Sequence, residues 1–169
     1  MSTHCGFRSV FLFPVLIGLS LAAAQVQASN KAVDDLVVQA NKAMMSGRPN
    51  DAESLLRKAI DLEPTRADLY MLRSRARDSG GKMEAALDDA NKYIELAPTD
   101  AFAYINRSRV YMSMEKSQAA LDDANKAIEL DPNEPDGYYR RADIYTDMGK
   151  DTEAKADEKK AEALDKKGR

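Results

Sequence analysis

Prolines at positions 64, 98 and 132 stand 34 residues apart, twice in succession. Each closes a near-copy of one phrase: AIDLEP at 59–64, YIELAP at 93–98 and AIELDP at 127–132. Between them LDDANKYIEL (87–96) returns as LDDANKAIEL (121–130) with one residue changed. A fixed period of this length means a stack of one supersecondary unit, because a single unit cannot bury its apolar face alone. It also points to a scaffold that binds rather than to an enzyme.

The period divides the chain into units 33–66, 67–100, 101–134 and 135–168. Each holds two apolar patterns of helical spacing around a central break. In the third unit Ala103, Tyr104, Ser108 and Tyr111 make one stripe, and Leu121, Ala124, Ala127 and Ile128 the other. Spacings of three and four predict amphipathic helices. The breaks are SGRPN (46–50), SGGK (79–82), MEKS (114–117) and MGKD (148–151). Three contain glycine, a frequent helix terminator; the third offers Met114–Glu115 instead, so its turn is less well specified. The prolines stop the second helices and push the residue before them out of helical geometry. The expectation is eight antiparallel helices in four hairpins. The last segment, 151–167, carries Glu158 and Glu162 where earlier units have Ala90, Ala124, Ile94 and Ile128. Its apolar period survives in Ala154, Ala161 and Leu164, which predicts a polar capping helix.

Residues 1–28 read as a separate leader. MSTHCGFR carries Arg8 as its only fixed charge, an apolar run follows at 9–24, and Val26 and Ala28 place small residues before Ser29. This is the layout of a secretory signal peptide. The rival is an uncleaved anchor, but sixteen residues including Pro14 and Gly18 are short beside the ~20 needed for a span. Cleavage before Ser29 leaves a repeat domain at 29–168, exported and expected in a bacterial periplasm. The only cysteine and only histidine, Cys5 and His4, leave with the leader. The mature chain then lacks thiol nucleophile, disulfide, thiolate metal site and imidazole base. No catalytic residue, metal ligand or cofactor is assigned. The net charge of −3, one unit more acidic without Arg8, gives no basic footprint for nucleic acid.

The repeated residues resemble the tetratricopeptide repeat (TPR) family: an aromatic, a small residue four on, then Tyr, Ala, a larger apolar residue and Pro across 34 positions. The third unit reads Tyr104, Ser108, Tyr111, Ala120, Ala124, Ala127 and Pro132. The second reads Tyr70, Ser74, Arg77, Ala86, Ala90, Tyr93 and Pro98. The fourth reads Tyr138, Ala142, Tyr145, Ala154, Glu158 and Ala161 without the proline, and the first starts weakly with Leu36 and Ala40 before Ala52, Leu56, Ala59 and Pro64. The resemblance implies an all-α, right-handed solenoid of about four helix-turn-helix repeats. One departure recurs: Arg73, Arg107 and Arg141 stand where the family usually has Leu. Such an arginine needs a partner, and Asp88, Asp89, Asp122 and Asp123 on the second helices are the candidates for a structural ladder. The first Asp of each pair also sits four before Lys92 or Lys126, a stabilising helix spacing. Adjacent Asp residues diverge on a helix, so neither pair makes a metal or acid–base site.

The resemblance further implies a concave groove, lined by first helices, that takes a peptide or partner helix. Its candidate lining is Met71, Arg75, Phe102, Ile105, Asn106, Arg109, Met112, Tyr139 and Arg140, with an apolar stripe Val37, Met71, Ile105, Tyr139 flanked by arginines. Apolar anchors beside guanidinium suit a ligand bearing carboxylate. The clamp by which some family members grip chaperone C-termini is incomplete, with Met71 and Asp136 at lysine places. Asn106-Arg107-Ser108 fits a glycosylation sequon but falls mid-helix, where chance explains it. The reading is therefore a non-catalytic binding module. Its rivals are a structural subunit that assembles through its convex face or ends, and an accessory domain of an enzyme.

Overall fold

The computed structural model describes residues 13–167, and the first part of the expected leader (1–12) lies outside them. The described residues form eight helices: α1 (Phe13–Met45), α2 (Pro49–Leu62), α3 (Ala67–Ser79), α4 (Met83–Leu96), α5 (Ala101–Ser113), α6 (Ser117–Leu130), α7 (Pro135–Asp147) and α8 (Asp151–Lys167). No strand occurs among them. Consecutive helices pair as four hairpins. The helix α1 is longer than the repeat requires and runs unbroken past the Ala28–Ser29 boundary. Among the described residues no helix is long and apolar enough to cross a membrane.

All four hairpin turns close the same way. The amides of Arg48, Lys82, Lys116 and Lys150 donate to the carbonyls five residues earlier, at 2.8–2.9 Å. The residue before each is left-handed: Gly47, Gly81 and Gly149 at φ 67–74°, and Glu115 at φ 58°. This is the helix-ending turn that glycine favours because it has no Cβ to clash. The turn that looks underspecified in sequence thus adopts the common geometry, with a side chain where its equivalents have none. Between hairpins the prolines act as acceptors. Tyr70, Tyr104 and Tyr138 donate from their hydroxyls to the carbonyls of Pro64, Pro98 and Pro132, at 2.9, 3.1 and 3.3 Å. The repeated spacing of Tyr and Pro is a bond that ties each hairpin to the one before.

Helices approach closely where the sequence is small. Ala52, Ala86, Ala120 and Ala154 are buried, as are Ala40, Ser74, Ser108 and Ala142. Ser74 Oγ donates to the carbonyl of Ala86 across its hairpin at 2.9 Å, which only a near approach of backbones allows. On α8 Ala154 and Ala161 are buried while Glu158 and Glu162 face solvent, so the last helix has one packed and one wet side. Helix α5 also packs on α3 and on α7, whereas no comparable packing joins α4, α6 and α8 to one another. The crowded layer is the inner one, so the stack curves with the odd-numbered helices on its concave side.

Candidate functional site

Two rows of arginine run along this solenoid. The first lies in the seam between odd and even helices. Arg73 donates through Nε and Nη2 to Asp89 at 2.9 and 2.7 Å. Arg107 does so to Asp123, both at 2.8 Å, and Arg141 to Asp157 at 2.7 and 2.8 Å. These forks match carboxylate geometry two bonds at a time. A third bond reaches the preceding hairpin, from Arg107 Nη1 to Asn91 Oδ1 at 3.0 Å and from Arg141 Nη1 to Asn125 Oδ1 at 2.8 Å. Each guanidinium also lies near tyrosine: Arg73 near Tyr70, Arg107 near Tyr104 and Tyr111, and Arg141 near Tyr138 and Tyr145, all at 5.6–5.9 Å. The hydrogen bonds to aspartate hold all three arginines above their ordinary pKa.

The second hairpin varies the theme. Arg77 replaces the second tyrosine and bonds Asp89 and Glu53, each at 2.9 Å. Lys82 and then Arg77 hold the Glu53 carboxyl below its usual range. Of the four aspartates that the sequence offers, Asp89 and Asp123 are the buried partners, and Asp88 and Asp122 face solvent. Sequence reasoning misses Asp157, although it lies one repeat beyond Asp123. The lysine pairs also differ from expectation: Lys92 and Lys126 bond Glu95 and Glu129 at 2.7 and 2.9 Å, not the aspartates four before them. A flexible lysine stem reaches either adjoining turn, and here it takes the following one.

The second row lies on the concave side. Arg75 is exposed and makes no hydrogen bond or ion pair among the described residues. Arg109 donates to Asn106 Oδ1 at 2.6 Å, and its Nε stays 3.6 Å from Asp78. Arg140 donates to Ser108 Oγ at 3.1 Å and lies 3.6 Å from Asp143. Burial first, then the positive charge of Arg75, pushes Arg109 down to about 10 against the pull of Asp78. Burial lowers Arg140 too. The buried Oδ1 of Asp78 has no hydrogen-bond partner. These groups are short of partners, unlike those in the seam.

The other candidates take several positions. Phe102 is 42% exposed at the start of α5, and Ile105 is half-buried. Met71 is half-buried against the cluster holding Tyr70 and Tyr93, and Met112 against the one holding Leu121 and Ile144. Tyr139 donates to Asp165 on α8 at 2.8 Å, so it also anchors the last helix. Asn106 differs most from a lining residue. It is 3% exposed, donates to Ser74 Oγ at 3.2 Å and accepts from Arg109. It lies beneath the groove as a support for Arg109, and its buried amide is no glycan acceptor. Among the described residues no group of three His, Cys, Asp or Glu could hold a metal.

Comparison with known proteins fits this geometry. Tetratricopeptide repeat models match residues 37–101, 101–134 and 124–156. The chain belongs to the tetratricopeptide repeat family. Among solved TPR-like structures it is similar to MamA at 28% identity, covering 86% of this chain and 85% of that one with a TM-score of 0.66. It is also similar to TTC0263, a TPR protein of Thermus thermophilus, at 19% identity, 79% and 74% coverage and a TM-score of 0.73. A third is the first TPR of Spaghetti (RPAP3), solved with the HSP90 peptide SRMEEVD, at 23% identity, 70% and 94% coverage and a TM-score of 0.62. At these last two identities the likeness concerns the fold. No curated protein matches the chain. As a TPR protein it is a protein–protein interaction module.

Proposed function

We propose that this TPR protein is a non-catalytic adaptor that receives a peptide or partner helix in its concave groove. One observation carries the reading. The inner arginines Arg75, Arg109 and Arg140 lack the close carboxylate partners that every seam arginine has. Guanidinium held this way is stabilised by an arriving carboxylate. Half-buried Ile105 and Met71 and exposed Phe102 supply apolar contact beside it. The peptide held by the Spaghetti domain supports the same use of the fold.

Groove and convex variants of a tagged chain, used in pull-downs from the native cell envelope, test this. Phe102→Ala and Arg75→Ala should deplete the partner bands, whereas Lys92→Glu and Lys126→Glu should keep them. The reverse pattern would favour assembly through the convex face. Export to a bacterial periplasm is part of the proposal, carried by the apolar run at 9–24 and the Ala28–Ser29 boundary. Intact-mass measurement of native protein should find a chain beginning near Ser29; one retaining Met1 and needing detergent would mean an anchor instead.

A further inference from the structure

A cavity of about 270 Å³ opens between α1, α2 and α3, lined by Asn41, Met44, Met45, Leu56, Leu72 and Arg75. Leu56 is fully buried at its floor, while Met45 is 90% exposed and Asn41 faces solvent at its rim. The volume lies just below the range of small-molecule pockets and suits one large apolar side chain. Methionine walls adapt to side chains of different shape. The one charged group at the cavity is Arg75, which is unpaired and is also the first of the concave arginines. Sequence reading places Arg75 along the groove, but the socket beside it is made by three helices together.

We propose that this cavity is a socket for one large apolar side chain of an acidic protein segment, whose internal carboxylates lie along Arg75, Arg109 and Arg140. The inference rests on the groove reading and specifies its partner. Charge argues for the occupant. Arg75 crowds Arg109, whose positive charge has only Asp78, 3.6 Å away, beside it. The row argues for internal Asp or Glu side chains rather than one chain terminus. Its arginines come from three successive hairpins, and a single carboxylate cannot serve all of them.

The test is a random peptide library displayed on phage without free peptide C-termini, selected in parallel on the full chain and on three variants. The wild type should enrich sequences with several Asp or Glu around one Leu, Ile, Met or Phe. Asn41→Trp fills the rim and Met45→Glu opposes the acidic segment; both positions are exposed, so neither change threatens the fold, which circular dichroism checks. Each should weaken an enriched, amidated synthetic peptide about tenfold or more, as should exchanging its apolar residue for Ser. Unchanged affinity on Asn41→Trp and Met45→Glu, or enrichment of basic sequences, overturns the socket. If Arg109→Gln abolishes binding while Asn41→Trp does not, the groove stands and the socket falls. If Asn41→Trp abolishes it and Arg109→Gln does not, the row of carboxylates falls, and the groove reading with it. Failure to enrich any acidic sequence counts against both.

Discussion

Arg107 and Arg109 are two residues apart on α5, yet their surroundings are opposite. Arg107 turns into the seam, meets Asp123 through two bonds of 2.8 Å and lies between two tyrosine rings. Arg109 turns to the concave side, keeps Asp78 at 3.6 Å and sits among other arginines. Hydrogen bonding raises the pKa of the first, and burial with like charge lowers that of the second to about 10. The same side chain serves the fold where a close carboxylate fork is built in and is left available where the nearest carboxylate stands 3.6 Å off. The difference repeats along the molecule, with Arg73 and Arg141 in the seam and Arg75 and Arg140 inside the curve.

The sharpest way to break this contrast is to orphan a seam carboxylate. Arg107→Met leaves Asp123 buried without its fork and should cost about 3 kcal/mol, read from urea unfolding midpoints. A loss below about 1 kcal/mol would put the seam pair among ordinary surface bridges. Next in size is the seam's tightness. Ala120→Leu should overpack the fully buried contact and cost about 2 kcal/mol in the same melts. An unchanged midpoint would mean that the hairpin register is wrong.

The inner row should respond with the opposite sign. Arg75→Gln removes a charge that repels Arg109 and breaks no hydrogen bond, so stability should hold or rise by about 0.5 kcal/mol, small because Arg75 is exposed and screened. A pH series checks the cause. Above pH 10 folded Arg109 releases its proton before the unfolded chain does, so this group adds stability as pH rises through that range. In Arg75→Gln the folded pKa moves back toward its ordinary value and that gain shrinks. The smallest effect belongs to the convex surface: Lys92→Gln breaks an exposed pair with Glu95 and should change stability by no more than about 0.5 kcal/mol.

Periodicity makes the repeat legible, since prolines, tyrosines and small residues each mark one backbone requirement per unit. It makes the seam half legible. Arg73, Arg107 and Arg141 stand out as departures, but choosing Asp123 over Asp122 needs the angle at which α6 faces α5. Asp157 is open to the same offset and is hidden by the charged run around it. Depth is not legible at all. A helical wheel places Asn106 on the groove side, and only the small neighbour Ser74 on α3 lets its amide sink below the surface. Nor can a pattern within one unit find the socket, because its walls come from α1, α2 and α3. Glu115 marks another limit: a non-glycine residue accepts left-handed backbone at a cost of about 1 kcal/mol when the rest of the hairpin requires it.

The central claim is that the concave row meets a protein partner while the seam and convex side do not. Site-specific photocrosslinking in the native cell tests it even while that partner is unidentified. A benzophenone amino acid at Ile105 reports on the groove, and one at Lys126 reports on the outer face of α6. The account predicts a discrete protein adduct from position 105, lost when Arg75 and Arg109 are both changed to Gln, and none from position 126. Adducts from 126 with none from 105 would contradict it.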